Sequence, residues 1–286
     1  MMPCTASPDY DSRIHRARQL AGSQPAATQA LIFYAHLAEF HKGLYERLAT
    51  VRLPEVRVSS GDFRSELDLA SLLLHFPELL SVLQRVGPVG VAETAREMAL
   101  HGPAVWITVL TSYWEVAGKP TEGFSVIEGQ PASSDRLTEF IARAFLQPYA
   151  EFLSRRRTAV EPVVAETYSI CPICGSAPML VVLRGDGADE KYGLQCSLCL
   201  HEWETKRGYC LHCGEDTQGQ LAKHFVDNIA HVSLEGCDNC MTYLSAVHLA
   251  REREAIPVVD DISGLALSRW AREHGYRRWC SNLLGT

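Results

Sequence analysis

Four C-x-x-C pairs constrain this sequence more than anything else in it. They are Cys171/Cys174, Cys196/Cys199, Cys210/Cys213 and Cys237/Cys240, so eight of the ten cysteines fall between positions 171 and 240. Only Cys4 lies in the first 165 residues, and Cys280 follows the group. Two thiolates three positions apart on a tight turn converge on one point. Two such turns facing each other place four sulfurs at the corners of a tetrahedron, about 2.3 Å from a zinc ion at its centre. Four pairs therefore predict two sites. Disulfides are the competing use, but disulfide frameworks belong to oxidising compartments. Residues Met1–Asp9 show neither the basic nor the apolar segment of a secretory leader, so the expectation is a protein that stays in the cytoplasm. A redox role for one pair would break up one of the two sites.

The spacing bears on which pairs combine. The intervals are 21 residues (Cys174 to Cys196), 10 (Cys199 to Cys210) and 23 (Cys213 to Cys237), so pairing neighbours gives two loops of nearly equal size. It also exposes an internal repeat, Cys171-Pro-Ile-Cys-Gly175 against Cys210-Leu-His-Cys-Gly214. Glycine after the second cysteine suits a turn that needs positive φ and aims N–H groups at sulfur. Site one is expected to be Cys171, Cys174, Cys196 and Cys199; site two, Cys210, Cys213, Cys237 and Cys240. The alternative is an interleaved cross-brace, first pair with third and second with fourth. Met179–Leu183, Tyr192–Gln195 and Glu202–Thr205 read as strands around a Gly185-Asp186-Gly187 turn. Each half is then a small antiparallel sheet whose folding energy comes largely from its ion. A tetrahedral S4 set accommodates zinc or iron; Cys-Pro-Ile-Cys-Gly resembles a rubredoxin knuckle, which holds iron. His201 and His212 would each be a fifth ligand and are expected outside the sites, as are the unpaired Cys4 and Cys280.

The first 157 residues read as about six helices. Leu31, Tyr34, Ala38, His41, Tyr45 and Leu48 follow a 3.6-residue repeat, as do Leu137, Ile141, Ala144, Phe145, Pro148 and Phe152. Pro148 is expected to kink or divide its helix. Further helices are expected over 65–86, 89–100 and 105–116, with a longer irregular loop near 118–132. Trp106, Tyr113 and Trp114 read as helical core, His36 and His41 as ordinary helix residues, and Arg155–Arg157 as a cationic helix end. The longest uncharged apolar stretch, Met98–Trp114, is interrupted by Gly102-Pro103 and is short of the roughly 20 residues a spanning helix needs, so no stable membrane insertion is expected. G-x-S-x-G, P-loop, H-E-x-x-H and strand-borne G-x-G-x-x-G motifs are all missing, so no catalytic residues are assigned and the expectation is a protein that is not an enzyme. After Cys240 the chain is expected to return to helix over Tyr243–Glu254 and Asp261–His274, the latter capped by Asp260 or Asp261.

The fold expected is α+β and multi-domain: an N-terminal all-α helical domain (1–157), a linker (158–170), two tandem rubredoxin-like or zinc-ribbon units (171–205 and 206–245), and a C-terminal helical segment (246–286). Charge narrows the function. Residues 1–165 carry 16 basic and 18 acidic side chains and residues 166–286 carry 11 and 16. Neither half has the basic excess that nucleic-acid binding needs. Eight thiolates around two divalent ions would deepen the deficit.

The four knuckles with their flanks resemble the FdhE family of formate dehydrogenase accessory proteins. The matching stretches are Cys171-Pro-Ile-Cys-Gly-Ser-Ala-Pro178, Cys196-Ser-Leu-Cys-Leu-His-Glu-Trp203, Arg207-Gly-Tyr-Cys-Leu-His-Cys-Gly214 and Gly236-Cys-Asp-Asn-Cys-Met-Thr-Tyr-Leu244, with Val259-Asp-Asp-Ile262, Gly275-Tyr276 and Asn282-Leu-Leu-Gly285 beyond them. The resemblance is strong over about residues 165–286; the helical half fits in length and class. It implies a non-enzymatic maturation factor in the cytoplasm, chaperone-like, that binds the catalytic subunit of respiratory formate dehydrogenase before twin-arginine export. It also implies iron in rubredoxin fashion at the two sites, with zinc still open. A rubredoxin-like electron carrier and a nucleic-acid-binding zinc ribbon are the alternatives.

Overall fold

The computed structural model describes residues 8–50, 63–118, 125–127, 133–157, 169–185, 187, 190–206, 208–225 and 229–286. Cys4, most of the expected linker at 158–170 and most of the expected loop at 118–132 lie outside these residues.

The helical half holds seven α-helices among the described residues, one of them a single turn. Helix α1 spans Tyr10–Ser23, and the Asp9 side chain caps it by accepting the Ser12 N–H at 2.9 Å. Helix α2 spans Thr28–Thr50 and buries Leu31, Tyr34, Ala38, His41, Tyr45 and Leu48, the face its periodicity marks. The short α3 (Leu69–Leu72) leads through a 3-10 turn into α4 (Phe76–Val86). Residues 69–86 are long and apolar enough by composition to cross a bilayer. In α4, however, Phe76, Leu79, Leu80 and Leu83 face the core while Glu78 and Arg85 are exposed, the pattern of a helix packed on a protein interior. Helices α5 (Val89–His101), α6 (Pro103–Val116) and α7 (Ser134–Arg156) follow. Trp106, Tyr113 and Trp114 are buried, each as core. Helix α7 packs against α2, α5 and α6 and is the axis of this half.

Pro148 does not divide α7, which runs unbroken from Ser134 to Arg156. Proline has no N–H to give the Ala144 carbonyl one turn back. That carbonyl is taken instead by His41 of α2, whose Nε2 lies 2.7 Å away. The carbonyl only accepts, so the imidazole is the Nε2–H tautomer. Burial lowers its pKa to about 4, so the ring is neutral. A neighbouring helix thus repairs the gap that proline opens.

The second half is one sheet of seven strands. Strands β1 (Pro178–Arg184), β2 (Lys191–Cys196) and β3 (Glu202–Glu204) form an antiparallel meander; β4 (Leu221–Phe225), β5 (Val232–Cys237) and β6 (Thr242–His248) form another. The two meanders fuse because β1 and β6 pair in parallel, Leu180 with Ser245 through Leu183 with His248. The order is β3-β2-β1-β6-β5-β4, with β7 (Arg277–Arg278) also on β6. The expected small antiparallel sheets are present, but they share a wall. Both central strands are almost wholly buried, so the interior here is larger than either ribbon alone would have.

Two helical expectations fail in this half. Residues 242–248 are strand β6 and not the start of a helix over Tyr243–Glu254. A strand covered on both faces loses its period-2 alternation, and a continuous apolar run reads equally well as helix. Helix α8 (Pro257–Ser263) begins earlier than expected and holds both aspartates in its interior, so neither is the N-cap of α9 (Leu265–Glu273). Asp260 accepts the Ile256 N–H at 2.7 Å from inside the helix. Burying two carboxylates demands partners. Asp260 has Arg16 of α1 at 2.6 Å and His231 at 2.7 Å; Asp261 has Arg278 at 2.7 Å and Asn282 at 2.8 Å. These pairs fasten α8 to the helical half and to the C-terminal segment.

One hydrophobic core runs from Leu44, Phe76 and Phe145 through Leu180, Val182 and Leu194 to Val259 and Leu284. A smaller cluster, Leu234, Tyr243, Leu267, Ala271 and Tyr276, packs α9 onto the second meander.

Candidate metal centres

All four knuckles adopt the same turn. In each, the residue after the second cysteine has positive φ: Gly175 at 72°, Leu200 at 56°, Gly214 at 79° and Met241 at 54°. Leu200 and Met241 are the two non-glycine residues with positive φ among the described residues, although a Cβ there costs roughly 1–2 kcal/mol. The first cysteine of three knuckles donates its N–H to the carbonyl five residues on: Cys171 to Ser176 at 2.8 Å, Cys196 to His201 at 2.9 Å and Cys210 to Glu215 at 2.6 Å. In the fourth, Cys237 pairs with Thr242 across the β5–β6 hairpin. The turn re-aims both sulfurs to one side. Around Cys196 it also points the N–H groups of Leu198 and Cys199 at Sγ, each at 3.4 Å. These are bonds a thiolate accepts well.

The eight cysteines gather sequentially. Cys171, Cys174, Cys196 and Cys199 form one group and Cys210, Cys213, Cys237 and Cys240 the other, the sulfurs of each lying within 4.8 Å of one another. The interleaved alternative is not what the fold builds. Across site one, Cys171 and Cys199 sulfurs are 3.6 Å apart and those of Cys174 and Cys196 3.4 Å. Across site two the Cys210–Cys240 and Cys213–Cys237 separations are both 3.7 Å. A disulfide needs about 2.05 Å. A tetrahedron with about 2.3 Å from centre to sulfur has edges of about 3.8 Å. The observed edges are close to the second figure, so both donor sets fit a four-coordinate ion.

The electrostatics lead to the same requirement. At site one, hydrogen bonds from Cys171, Cys196 and Cys199 pull the Cys174 thiol far down, while burial pushes Cys196 and Cys199 well up. At site two, burial pushes Cys210 up to about 12, and the Glu215 N–H draws Cys213 down to about 7. Four sulfurs this close cannot all ionise unaided; charge balance needs a cation at the centre. Hydroxyls lie beside one sulfur of each site, Ser176 Oγ 3.3 Å from Cys174 and Thr242 Oγ1 2.9 Å from Cys240.

The surroundings differ. Site one sits where the two halves meet. Arg143 of α7 donates to the carbonyls of Ser197 at 3.1 Å, Ser281 at 2.8 Å and Asn282 at 2.9 Å, and Gln147 adds a bond to Ser197 at 3.3 Å. Gly118, at φ 77°, brings its backbone against Ser176, and its carbonyl takes the Ala177 N–H at 2.8 Å. A Cβ on Gly118 would lie 1.8 Å from Ser176 Oγ. None of these contacts is signalled in the sequence: Arg143 and Gln147 look like polar residues on an amphipathic helix, and Gly118 like a turn. Site two stands at the same end of the strands as site one, at the β5–β6 hairpin, with Cys213 exposed and Cys210 and Cys240 half-buried.

Of the residues expected outside the sites, His201, His212 and Cys280 belong to neither cluster, and Cys4 lies outside the described residues. The His201 carbonyl accepts from Cys196, whereas its ring belongs to neither cluster. The His212 ring meets Trp279 edge-on at 6.1 Å. Cys280 is buried apart from both clusters.

Residues 170–207 match the family description "FdhE, central domain" and residues 209–284 match "FdhE, C-terminal domain". The FdhE homolog of Aquifex aeolicus is 22% identical over 282 residues, covering 95% of this chain and 94% of that protein. Protein FdhE of Escherichia coli O127:H6 is 27% identical over 280 residues, covering 94% and 85%. The crystal structure of FdhE from Pseudomonas aeruginosa shares the fold, with a TM-score of 0.67, 24% identity, and 99% and 98% coverage. Two adjoining domain matches together contain all eight clustered cysteines, and relatives align over nearly the whole chain, so this chain is similar to the FdhE proteins in its metal-site region and in its fold.

Proposed function

We propose that this chain is a non-catalytic maturation factor of respiratory formate dehydrogenase, acting in the cytoplasm by binding the enzyme's catalytic subunit before twin-arginine export. The observation that carries the reading is the pair of sequential Cys4 clusters in one sheet, inside the residues that match the FdhE central and C-terminal domains. Cys171, Cys174, Cys196 and Cys199 would hold one ion, and Cys210, Cys213, Cys237 and Cys240 the other. Iron is favoured and zinc is the alternative; with four thiolate ligands iron supplies one-electron chemistry, whereas zinc is a structural clamp.

The chain's own residues support a presenting role. Arg143 and Gln147 hold the Ser197 carbonyl beside site one, so the helical half and the first knuckles are fastened together. Site two lies beyond that junction with one cysteine at the surface. A partner meeting that end would meet a surface whose shape the ion maintains. The test is capture of the formate dehydrogenase catalytic subunit by purified, metal-loaded chain. Retention that is lost when the ions are stripped is the expected result; no retention with both ions present refutes the proposal.

The exposure of Cys213 favours one further reading, a rubredoxin-like electron carrier, because electron exchange needs a centre near the surface. Elemental analysis after anaerobic purification separates the two readings. Zinc ends the electron-carrier reading and leaves the maturation factor standing.

A further inference from the structure

The two clusters have matching sulfur geometry and opposite surroundings. At site one Cys171, Cys174, Cys196 and Cys199 are 2%, 7%, 0% and 1% exposed. Both of its knuckles are braced by distant chain: Gly118 and Arg64 bear on Ser176, and Arg143 and Gln147 bear on Ser197. Its sulfurs cannot separate unless the helical half comes away from the sheet.

At site two the third knuckle, residues 208–217, is bonded mostly to itself: Gly214 N–H to Cys210, Cys210 N–H to Glu215, Thr217 N–H to Glu215. Among the described residues its links outward are few: half-buried Leu211 packs against the main core. Tyr209 and Thr205 hydroxyls lie 3.4 Å apart, the His212 ring edges Trp279, and Asn239 Nδ2 is 3.8 Å from Cys213 Sγ. Nothing lies within 4 Å of where a side chain would start at Gly208 or Gly214. Behind the knuckle is a cavity of about 330 Å³, lined in part by Cys210, Cys237, Tyr209 and Trp279. Two of the sulfur ligands therefore border open volume on the inner side, while Cys213 meets solvent on the outer side. The fourth knuckle, by contrast, is the β5–β6 hairpin itself and is held by the sheet.

We propose that the two centres are kinetically unequal by construction: site one locks its ion in, and site two exchanges its ion with solution by outward movement of the third knuckle, beginning with release of Cys213. The proposal rests on the reading that both clusters hold ions. Local opening in proteins follows the density of contacts that must be broken, and here it breaks the knuckle's own bonds, a few hydroxyl, ring and amide contacts and the packing of one side chain, Leu211. At site one the same event requires part of the shared core to open.

The experiment uses the full chain reconstituted with zinc under reducing, anaerobic conditions. Metal content is measured first, and then a colorimetric chelator is added with timed pulses of iodoacetamide and peptide mass mapping. The expected result is two equivalents at the start and release in two phases of one equivalent each, separated by at least about 100-fold in rate. Alkylation in the fast phase should reach Cys213 first and then Cys210, Cys237 and Cys240, with site-one cysteines labelled only in the slow phase. The exposed substitution Cys213→Ser should speed the fast phase about tenfold or more and leave the slow phase unchanged. Release of both ions in one phase, site-one cysteines labelled first, or Cys213→Ser changing both phases alike would overturn the proposal. Fewer than two equivalents at the outset would overturn the two-ion reading beneath it, a separate and recognisable failure.

Discussion

The bond from His41 to the Ala144 carbonyl offers a direct measurement of how a helix tolerates an internal proline. His41 lies on α2 and Pro148 on α7, and the 2.7 Å bond closes a gap that exists only because residue 148 has no N–H. Replacing His41 with Leu keeps an apolar side chain of similar bulk but leaves the carbonyl buried and unpaired. An orphaned buried acceptor costs about 1–3 kcal/mol, so His41→Leu is expected to destabilise the chain by about 2 kcal/mol. Pro148→Ala restores an N–H one turn after Ala144. In that background the helix pairs the carbonyl itself, and the same His41→Leu change should cost about 1 kcal/mol or less. The coupling read from the four proteins in a double-mutant cycle should then be about 1–2 kcal/mol. Urea denaturation at pH 8, with reductant and saturating metal, supplies the four stabilities. Equal costs of His41→Leu in the two backgrounds, within about 0.5 kcal/mol, would show that the carbonyl is not the partner that matters.

The same histidine predicts a pH dependence. Its pKa in the fold is lowered to about 4 by burial, below the unfolded value near 6.5, so the unfolded chain takes up the proton first as pH falls. The stability it contributes is complete above pH 6.5 and is lost as pH falls towards 4; denaturant titrations over that range should show the slope, and His41→Leu should flatten it. Gly118→Ala places a Cβ against Ser176 at a left-handed φ, so a loss of at least about 2 kcal/mol is expected, read as a lower urea midpoint together with faster alkylation of Cys171 and Cys174. Asp261→Asn strips the charge from the buried partner of Arg278, and the expected cost is about 3–5 kcal/mol in thermal or urea unfolding. A cost below about 1 kcal/mol would show that the pair is dispensable.

The candidate sites were readable because their information is local. A C-x-x-C turn with a glycine after it dictates where two sulfurs point, and the repeat from Cys171 to Gly175 and from Cys210 to Gly214 pairs neighbours. The two knuckles ending in Leu200 and Met241 carry no such signal, yet take the same turn at a steric cost that the surrounding structure bears. Most of the helices were readable from the 3.6-residue repeat for the same local reason. What escaped was set by distant chain. Strand β6 looks like helix because both its faces are covered, which only the finished sheet reveals. Pro148 looks like a break because nothing near it announces His41, more than a hundred residues earlier. Asp260 and Asp261 look like caps because exposed aspartates before a helix usually are; Arg16 and Arg278 make burial possible instead. Arg143 gave no sign that it would bond three carbonyls across the junction.

The parallel seam between β1 and β6 has a consequence for how the chain is made. Leu180 waits for Ser245, 65 residues further on, and every cysteine of both clusters is synthesised before β6 is finished. Until then β1 has β2 on one side and a bare row of amide and carbonyl groups on the other, the kind of edge that pairs with whatever strand comes first. Contacts this far apart in sequence form slowly. During the delay the first four cysteines can already clasp an ion and hold the exposed edge in register, so metal supply during translation would decide how much nascent chain is lost to wrong pairing.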